Sequence, residues 1–372
     1  MHTTSKSPFR VIAILAVAAF VVILNETVLN VALPHLMEDL NVTANQVQWV
    51  ATALMLTMAV VIPTTGFMLN RLSVQRVFGI AMGAFSVGTA ISALSPNFEL
   101  LVAGRVVQGF GTAIMMPLLM TTILRLVPAQ RRGAIMGNVS IVMAVAPAMG
   151  PTVSGLILSI LPWRFLFVFI LPIALAALWI GYSRLEKTVE VSSARLDIFS
   201  VLLSIPGFGL LVYALSSLGN TDNDNPAVTW LALGIAVVSL AIFTFRQLNL
   251  QVRATPLLDL RVFGNRDYTI SVILMLIAMM SLFGVVIILP IYMQSVRGLE
   301  TVTTGLVLLP GGLVMGLMGP IVGRMVDRLG ARPLAVVGGA LLVTSLFLFT
   351  QLTVNTPNDR DRKSGSAGMP RP

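Results

Sequence analysis

Residues 11–33 read VIAILAVAAFVVILNETVLNVAL, an apolar run interrupted by Asn25, Glu26 and Asn30. A helix needs about 20 apolar residues, at about 1.5 Å each, to cross the hydrocarbon core of a bilayer. This run is long enough. Lys6 and Arg10 precede it, as a basic stretch precedes a secretory signal. The run is too long for a signal and carries Asn25 and Glu26, so it reads as a retained first span.

The same pattern recurs along the chain. Apolar runs at 11–33, 47–69, 77–95, 99–121, 134–160, 165–183, 199–218, 228–245, 268–293, 302–322 and 333–353 give eleven expected spans. The chain is 56% hydrophobic and 10% charged, with mean hydropathy +0.91. A soluble domain carries about 25% charged residues, so lipid is the solvent this composition fits. The expected class is an all-α membrane protein with the bilayer as its surroundings.

The charge of +9 and pI near 10.9 raise the possibility of nucleic acid. The basic residues sit in short connections between apolar runs, which is a membrane pattern and excludes a nucleic-acid partner. With the N-terminus inside, seventeen of the Lys and Arg residues fall in inner segments, and only Arg164 and Arg297 in outer loops. That asymmetry places the N-terminus in the cytoplasm of a multi-pass protein of the cell membrane. Trp49, Trp163 and Trp230 fall at outer span ends and Trp179 near an inner one. They are expected to be lipid-facing filler at the interfaces.

Some chemistries are excluded. There is no cysteine, and His2 and His35 form no ligand cluster, so no metal site is expected. No nucleophile–base pair, phosphate loop or catalytic domain is present, so the chain is not read as an enzyme and needs no cofactor.

Two turns repeat. Gly66-Phe-Met-Leu-Asn70-Arg71-Leu-Ser73 joins spans two and three, and Gly323-Arg-Met-Val-Asp327-Arg328-Leu-Gly330 joins spans ten and eleven. The offset is eight helices. Two parallel six-helix halves with two further helices between them account for it, and internal repeats of this kind mark transporters. The expected organisation is a six-helix bundle over 1–184, two inserted helices over 185–250, a partial second bundle over 251–354, and a disordered polar tail over 355–372.

Only Glu26 and Arg105 are ionisable groups deep within spans. Such groups are expensive in hydrocarbon and are functional suspects. Both lie roughly 9 to 12 Å from the outer end of their spans, counting 1.5 Å per residue. They therefore share a layer in which they can meet. A Glu–Arg pair suits proton coupling, because protonating Glu26 removes its attraction to Arg105. An ion pair that only ties two helices together is the alternative. Asn25, Asn30, Gln108 and Gly109 are expected around the pair. In span five, Gly137, Ala146, Gly150, Pro151, Ser154 and Gly155 set small residues at intervals that allow close helix approach, with Pro151 bending the backbone.

These stretches resemble the major facilitator superfamily, and more narrowly its fourteen-helix drug:proton antiporters, including the lincomycin-efflux type. The resemblance covers residues 10 to about 350. Arg105-Val-Val-Gln108-Gly109-Phe-Gly111 is similar to the family's R-x-x-Q-G-x-G motif, whose arginine the family assigns to proton coupling. The span-five pattern resembles the antiporter motif, with Ala146 and Ser154 where glycines are usual. The first span resembles the family signature with Asn25 in place of the usual aspartate and the carboxylate at Glu26.

Both turns resemble the loop motif that gates the cytoplasmic side, with Gly66, Asn70, Arg71 and Arg76 in one copy and Gly323, Asp327, Arg328 and Gly330 in the other. Asn70 replaces the acid, which implies a looser first gate. Trp163-Arg164-Phe165 through Pro172 and Pro290-Ile-Tyr292-Met-Gln294 also resemble family stretches, and Tyr292 and Gln294 are assigned to the substrate cavity.

The resemblance implies a proton-driven exporter of apolar or cationic drug-like small molecules. The family has six helices, two inserted and six more, whereas eleven are read here. A truncated or degenerate, non-transporting product is therefore one alternative, and a metabolite transporter of the same fold another.

Overall fold

The computed structural model describes residues 8–185, 197–218, 226–252, 258–293 and 301–351. Eleven long helices fall on the eleven expected spans: α1 (Pro8–Leu40), α2 (Trp49–Arg71), α3 (Val74–Ala93), α4 (Phe98–Leu126), α5 (Arg132–Leu158), α6 (Arg164–Arg184), α7 (Ile198–Leu218), α8 (Pro226–Val252), α9 (Arg266–Ile291), α10 (Thr301–Leu329) and α11 (Ala331–Thr350). No strand occurs among the described residues. Nine helices in this described set are long and apolar enough to cross a membrane. The tail expected to be disordered lies outside the described residues.

The fold is therefore an all-α membrane helix bundle. Its helices form because each apolar run satisfies its own backbone hydrogen bonds, which lipid cannot do. Polar caps close several ends. The side chains of Ser73, Asn97 and Asn265 accept from the backbone N–H groups of Arg76, Leu100 and Asp267 respectively, at the starts of α3, α4 and α9.

The chain divides into two compact units. One comprises Met1–Gly264 with Gly312–Arg324; the other comprises Asn265–Gly311 with Met325–Pro372. In the first unit, α3 packs along α4, α2 against α4, α1 against α5, and α3 against α6. The pair α7–α8 forms its own hairpin and docks on α2 through α7, where Trp49 stacks on Tyr213 with ring centroids 5.8 Å apart. Helices α7 and α8 thus belong to the same compact unit as α1 to α6. In the second unit, Arg332 at the start of α11 pairs with Asp267 at the start of α9 at 2.9 Å.

The first helix runs seven residues past the expected end of its apolar run, through Pro34 to Leu40. A tertiary contact holds the extension. Asp39 accepts from Trp163 Nε1 at 2.8 Å and from Arg164 Nη1 at 2.7 Å. Arg164 also donates through Nε to the Ser95 carbonyl at 3.0 Å. Asp39 and Arg164 together thereby tie the ends of α1, α3 and α6. The Arg164 hydrogen bond, followed by that of Trp163, holds the Asp39 carboxyl below its ordinary value.

Trp163 is not lipid-facing filler. It is 2% exposed, because its indole N–H is used by Asp39 and its ring lies against Arg164 and Phe167. Trp179 and Trp230, 73% and 61% exposed, do present their rings outward.

The α7–α8 hairpin has its own polar staple. Arg246 donates to both oxygens of Asp197, at 2.7 and 2.8 Å. Ser200 donates to the same carboxylate, and Gln247 donates to Ser200 Oγ at 2.6 Å. The Arg246 hydrogen bonds pull the Asp197 carboxyl down to about 2 from 3.8. A lowered carboxylate contributes stability that is complete above the ordinary value and is lost as pH falls toward the folded one. Asp197→Asn should therefore destabilise the purified protein at pH 7 by about 1–2 kcal/mol, the scale of a partly exposed bidentate pair. Thermal unfolding in detergent should show the gap to wild type closing between about pH 4 and pH 2.

Candidate functional site

Helix α4 carries the site. Arg105 is 1% exposed, the largest fully buried side chain among the described residues. A guanidinium has five N–H donors and no acceptor, so burial requires acceptors around it. Its Nε donates to the Val50 carbonyl of α2 at 3.1 Å, and its Nη1 to Gln108 Oε1 at 2.8 Å, one turn along α4. Gln108 Nε2 donates in turn to Thr89 Oγ1 of α3 at 2.8 Å. Glu26 of α1 is half-buried and interacts electrostatically with Arg105. The two do not close a direct ion pair. Direct ion pairs occur elsewhere, at Arg164–Asp39, Arg246–Asp197, Arg261–Asp259 and Arg332–Asp267.

The charged neighbour of Arg105 is thus Glu26, at longer than contact range, and its hydrogen-bond partners are neutral. Asn25, beside Glu26, is buried. Gly109 lies against α2, where a Cβ would come within 2.8 Å of the Leu54 carbonyl and 2.9 Å of Thr57. Tyr292 is half-buried at the end of α9. The side chain of Asn30 and the whole of Gln294 lie outside the described residues.

The span-five residues divide by face. Ala146, Gly150 and Ser154 recur every fourth residue and are all buried. Gly150 sits directly on Thr27, the neighbour of Glu26, so this face runs along α1 at the level of the carboxylate. Pro151 and Gly155 are exposed on the other side, and α5 runs through Pro151 without a break. Gly137 belongs to a different contact. A Cβ there would come within 2.5 Å of the Gly319 carbonyl and 2.9 Å of Pro320, and Gly323 lies against Gly133. Gly133-x3-Gly137 on α5 and Gly319-x3-Gly323 on α10 therefore cross backbone to backbone. Gly133 and Gly319 were not among the sequence candidates, although their four-residue spacing was visible there.

The two repeated turns differ in detail. Gly330 has φ +82°, a backbone that favours glycine. The equivalent Ser73 is extended and caps α3 through its hydroxyl. Asn70 is less of a loss than its missing charge suggests, because it accepts from Arg125 Nη2 of α4 at 3.1 Å. Arg71 stacks over Phe67 at 5.7 Å. Arg76 is turned into a cleft with Ile80, Leu175, Trp179 and Tyr182 between α3 and α6. Gly66 is open to its surroundings. Asp327 is half-buried and Arg328 exposed.

A sequence model of the Major Facilitator Superfamily matches residues 15–358. The chain belongs to the Major Facilitator Superfamily. It is similar to the uncharacterised MFS-type transporter YcnB of Bacillus subtilis, 40% identical over 360 residues, covering 96% of this chain and 75% of that one. It is also similar to the lincomycin resistance protein LmrB of Listeria monocytogenes, 38% identical over 349 residues, covering 94% of this chain and 73% of that one. Among solved structures, the proton:xylose symporter XylE of E. coli superposes with a TM-score of 0.60 at 16% identity, over 88% of this chain and 70% of that one. This superfamily member is accordingly a multi-pass membrane transporter and not an enzyme.

The packing makes a contrast testable. Gly137→Ala drives a methyl group into the Gly319 backbone and should cost about 1–3 kcal/mol. Gly155→Ala meets nothing within 4 Å and should stay within about 0.5 kcal/mol of wild type. Thermal unfolding of the two purified variants checks this, and equal losses would remove the α5–α10 crossing as the reason for glycine at 137.

Proposed function

We propose that this transporter exports apolar or cationic drug-like compounds across the cell membrane in exchange for protons. The observation that carries the reading is a carboxylate that interacts electrostatically, beyond direct contact, with a wholly buried arginine inside the helix bundle, Glu26 with Arg105. The relative named for lincomycin resistance favours a drug as the cargo.

Ionised Glu26 offers a negative site in an apolar surround, which suits a cationic or polarisable compound. A proton arriving at Glu26 neutralises it. The attraction to Arg105 and to a bound cation then falls together, and the compound is released. Arg105 keeps its charge because the Val50 carbonyl and Gln108 hold it by hydrogen bonds that do not depend on Glu26. It therefore provides a fixed positive field against which Glu26 titrates.

Asn25, Gln108 and Gly109 border this site in the reading, with Asn30, Tyr292 and Gln294 assigned to the same cavity. The crossing helices α5 and α10 and the turns at 66–76 and 323–330 supply the moving contacts. The excess of basic residues in alternate connections supports an N-terminus in the cytoplasm. No cofactor enters the scheme, since the proton gradient is the energy source.

Everted membrane vesicles loaded by the chain with a fluorescent cationic dye test the scheme. An imposed pH gradient should drive dye movement in wild type. Glu26→Gln should reduce that movement at least about tenfold, the effect of losing a group worth 1.4 kcal/mol or more, while the protein still inserts. Gradient-driven transport undiminished in Glu26→Gln would end the assignment of Glu26.

A further inference from the structure

We infer that Thr89 of α3 is a positioning residue for Arg105: by fixing which way the Gln108 amide faces, it sets the direction of the buried guanidinium. For its functional consequence this rests on the exporter reading above.

The Thr89 hydroxyl has one proton, and it donates that proton to the Phe85 carbonyl one turn back, at 2.7 Å. Its oxygen is then left only as an acceptor. The Gln108 group that meets it, at 2.8 Å, must therefore be the NH2 end of the amide. The amide carbonyl consequently faces the other way, toward Arg105, and accepts from Nη1 at 2.8 Å. Were the amide reversed, two donors would face each other at the Arg105 end and two acceptors, the amide carbonyl and the Thr89 oxygen, at the other. In a buried site each such mismatch is costly. The chain Phe85 carbonyl, Thr89, Gln108, Arg105 therefore has one consistent sense. Val50 fixes the opposite edge of the guanidinium, so the side chain is held at two points.

Thr89 is distinguished from its polar neighbours. Ser86 and Ser92 lie three residues to either side and are equally buried, yet their hydroxyl oxygens have no hydrogen-bond partner. Of the three hydroxyls, Thr89 is the one that hydrogen-bonds to a side chain of α4. The approach is permitted by Gly88, where a Cβ would meet Gln108 and the Gly104 carbonyl, both within 2.7 Å. The groups facing Arg105 are thus Glu26 from α1, the Val50 carbonyl from α2, and Gln108, backed by Thr89 of α3, on its own helix.

Thr89→Val keeps the shape and removes the acceptor, Thr89→Ser restores it, and Ser86→Ala is the control. Two measurements on the full chain decide the matter. The first is a double-mutant cycle of thermal unfolding with Gln108→Leu. Loss from Thr89→Val should largely disappear when Gln108 is already Leu, because the two act through one contact. Additive losses would overturn the lock.

The second is the pH profile of gradient-driven dye transport. Thr89→Val should slow transport about tenfold and displace the profile, whereas Thr89→Ser and Ser86→Ala should keep the wild-type profile, about tenfold being the upper scale of one neutral hydrogen bond. An unchanged profile in Thr89→Val, or one displaced equally by Ser86→Ala, would overturn the role in positioning Arg105. Absence of gradient-driven transport in wild type would count against the exporter reading instead, and the unfolding cycle would then decide the lock alone.

Discussion

A guanidinium withdrawn from water loses several kcal/mol of hydration, and in a helix bundle that loss must be offset by acceptors fixed in place. Arg105 imposes this constraint on three helices at once. The Val50 carbonyl comes from α2, Gln108 from α4, and Gln108 is itself anchored on Thr89 of α3. Glu26 then adds a charge at longer range from α1. The arrangement separates two tasks that a direct ion pair would combine. Neutral groups hold the arginine, and the carboxylate is left able to change its charge without releasing it.

Such an arrangement needs helices closer together than ordinary side chains permit. Gly88, Gly104 and Gly109 bring α3, α4 and α2 together around the arginine, and Gly150 brings α5 against Thr27 beside Glu26. In lipid, no water is released when helices meet, so association depends on such close contact and on hydrogen bonds. The small residues of α5 thus do two jobs on two faces. Ala146, Gly150 and Ser154 support the carboxylate-bearing helix, while Gly133 and Gly137 meet Gly319 and Gly323 of α10.

Charged groups at the helix ends complete the frame. Asp39 gathers Trp163 and Arg164, and Arg164 reaches the Ser95 carbonyl, so that the ends of α1, α3 and α6 are joined. Asp197 and Arg246 do the same for the α7–α8 hairpin. These pairs lie at the borders of the apolar runs, where carboxylates and guanidinium groups keep partial hydration and a bond can form without full desolvation.

Run length and hydropathy by themselves determined the eleven long helices of the described residues, because a segment in lipid must satisfy its own backbone and leaves few alternatives to a helix. That Glu26 and Arg105 are the ionisable groups deep within the first and fourth apolar runs was also legible, from residue type and position. Tertiary structure alone decided what those groups touch. Val50 lies 55 residues from Arg105 and Thr89 lies 19 from Gln108, and periodicity names the face of a helix without naming its neighbour. For the same reason Trp163, placed among lipids by its position in the sequence, is buried on Asp39, a residue beyond the apolar run. Asn70 lost its charge yet kept a partner in Arg125. Each of these contacts is a property of two elements brought together, and the pattern along either one does not contain it.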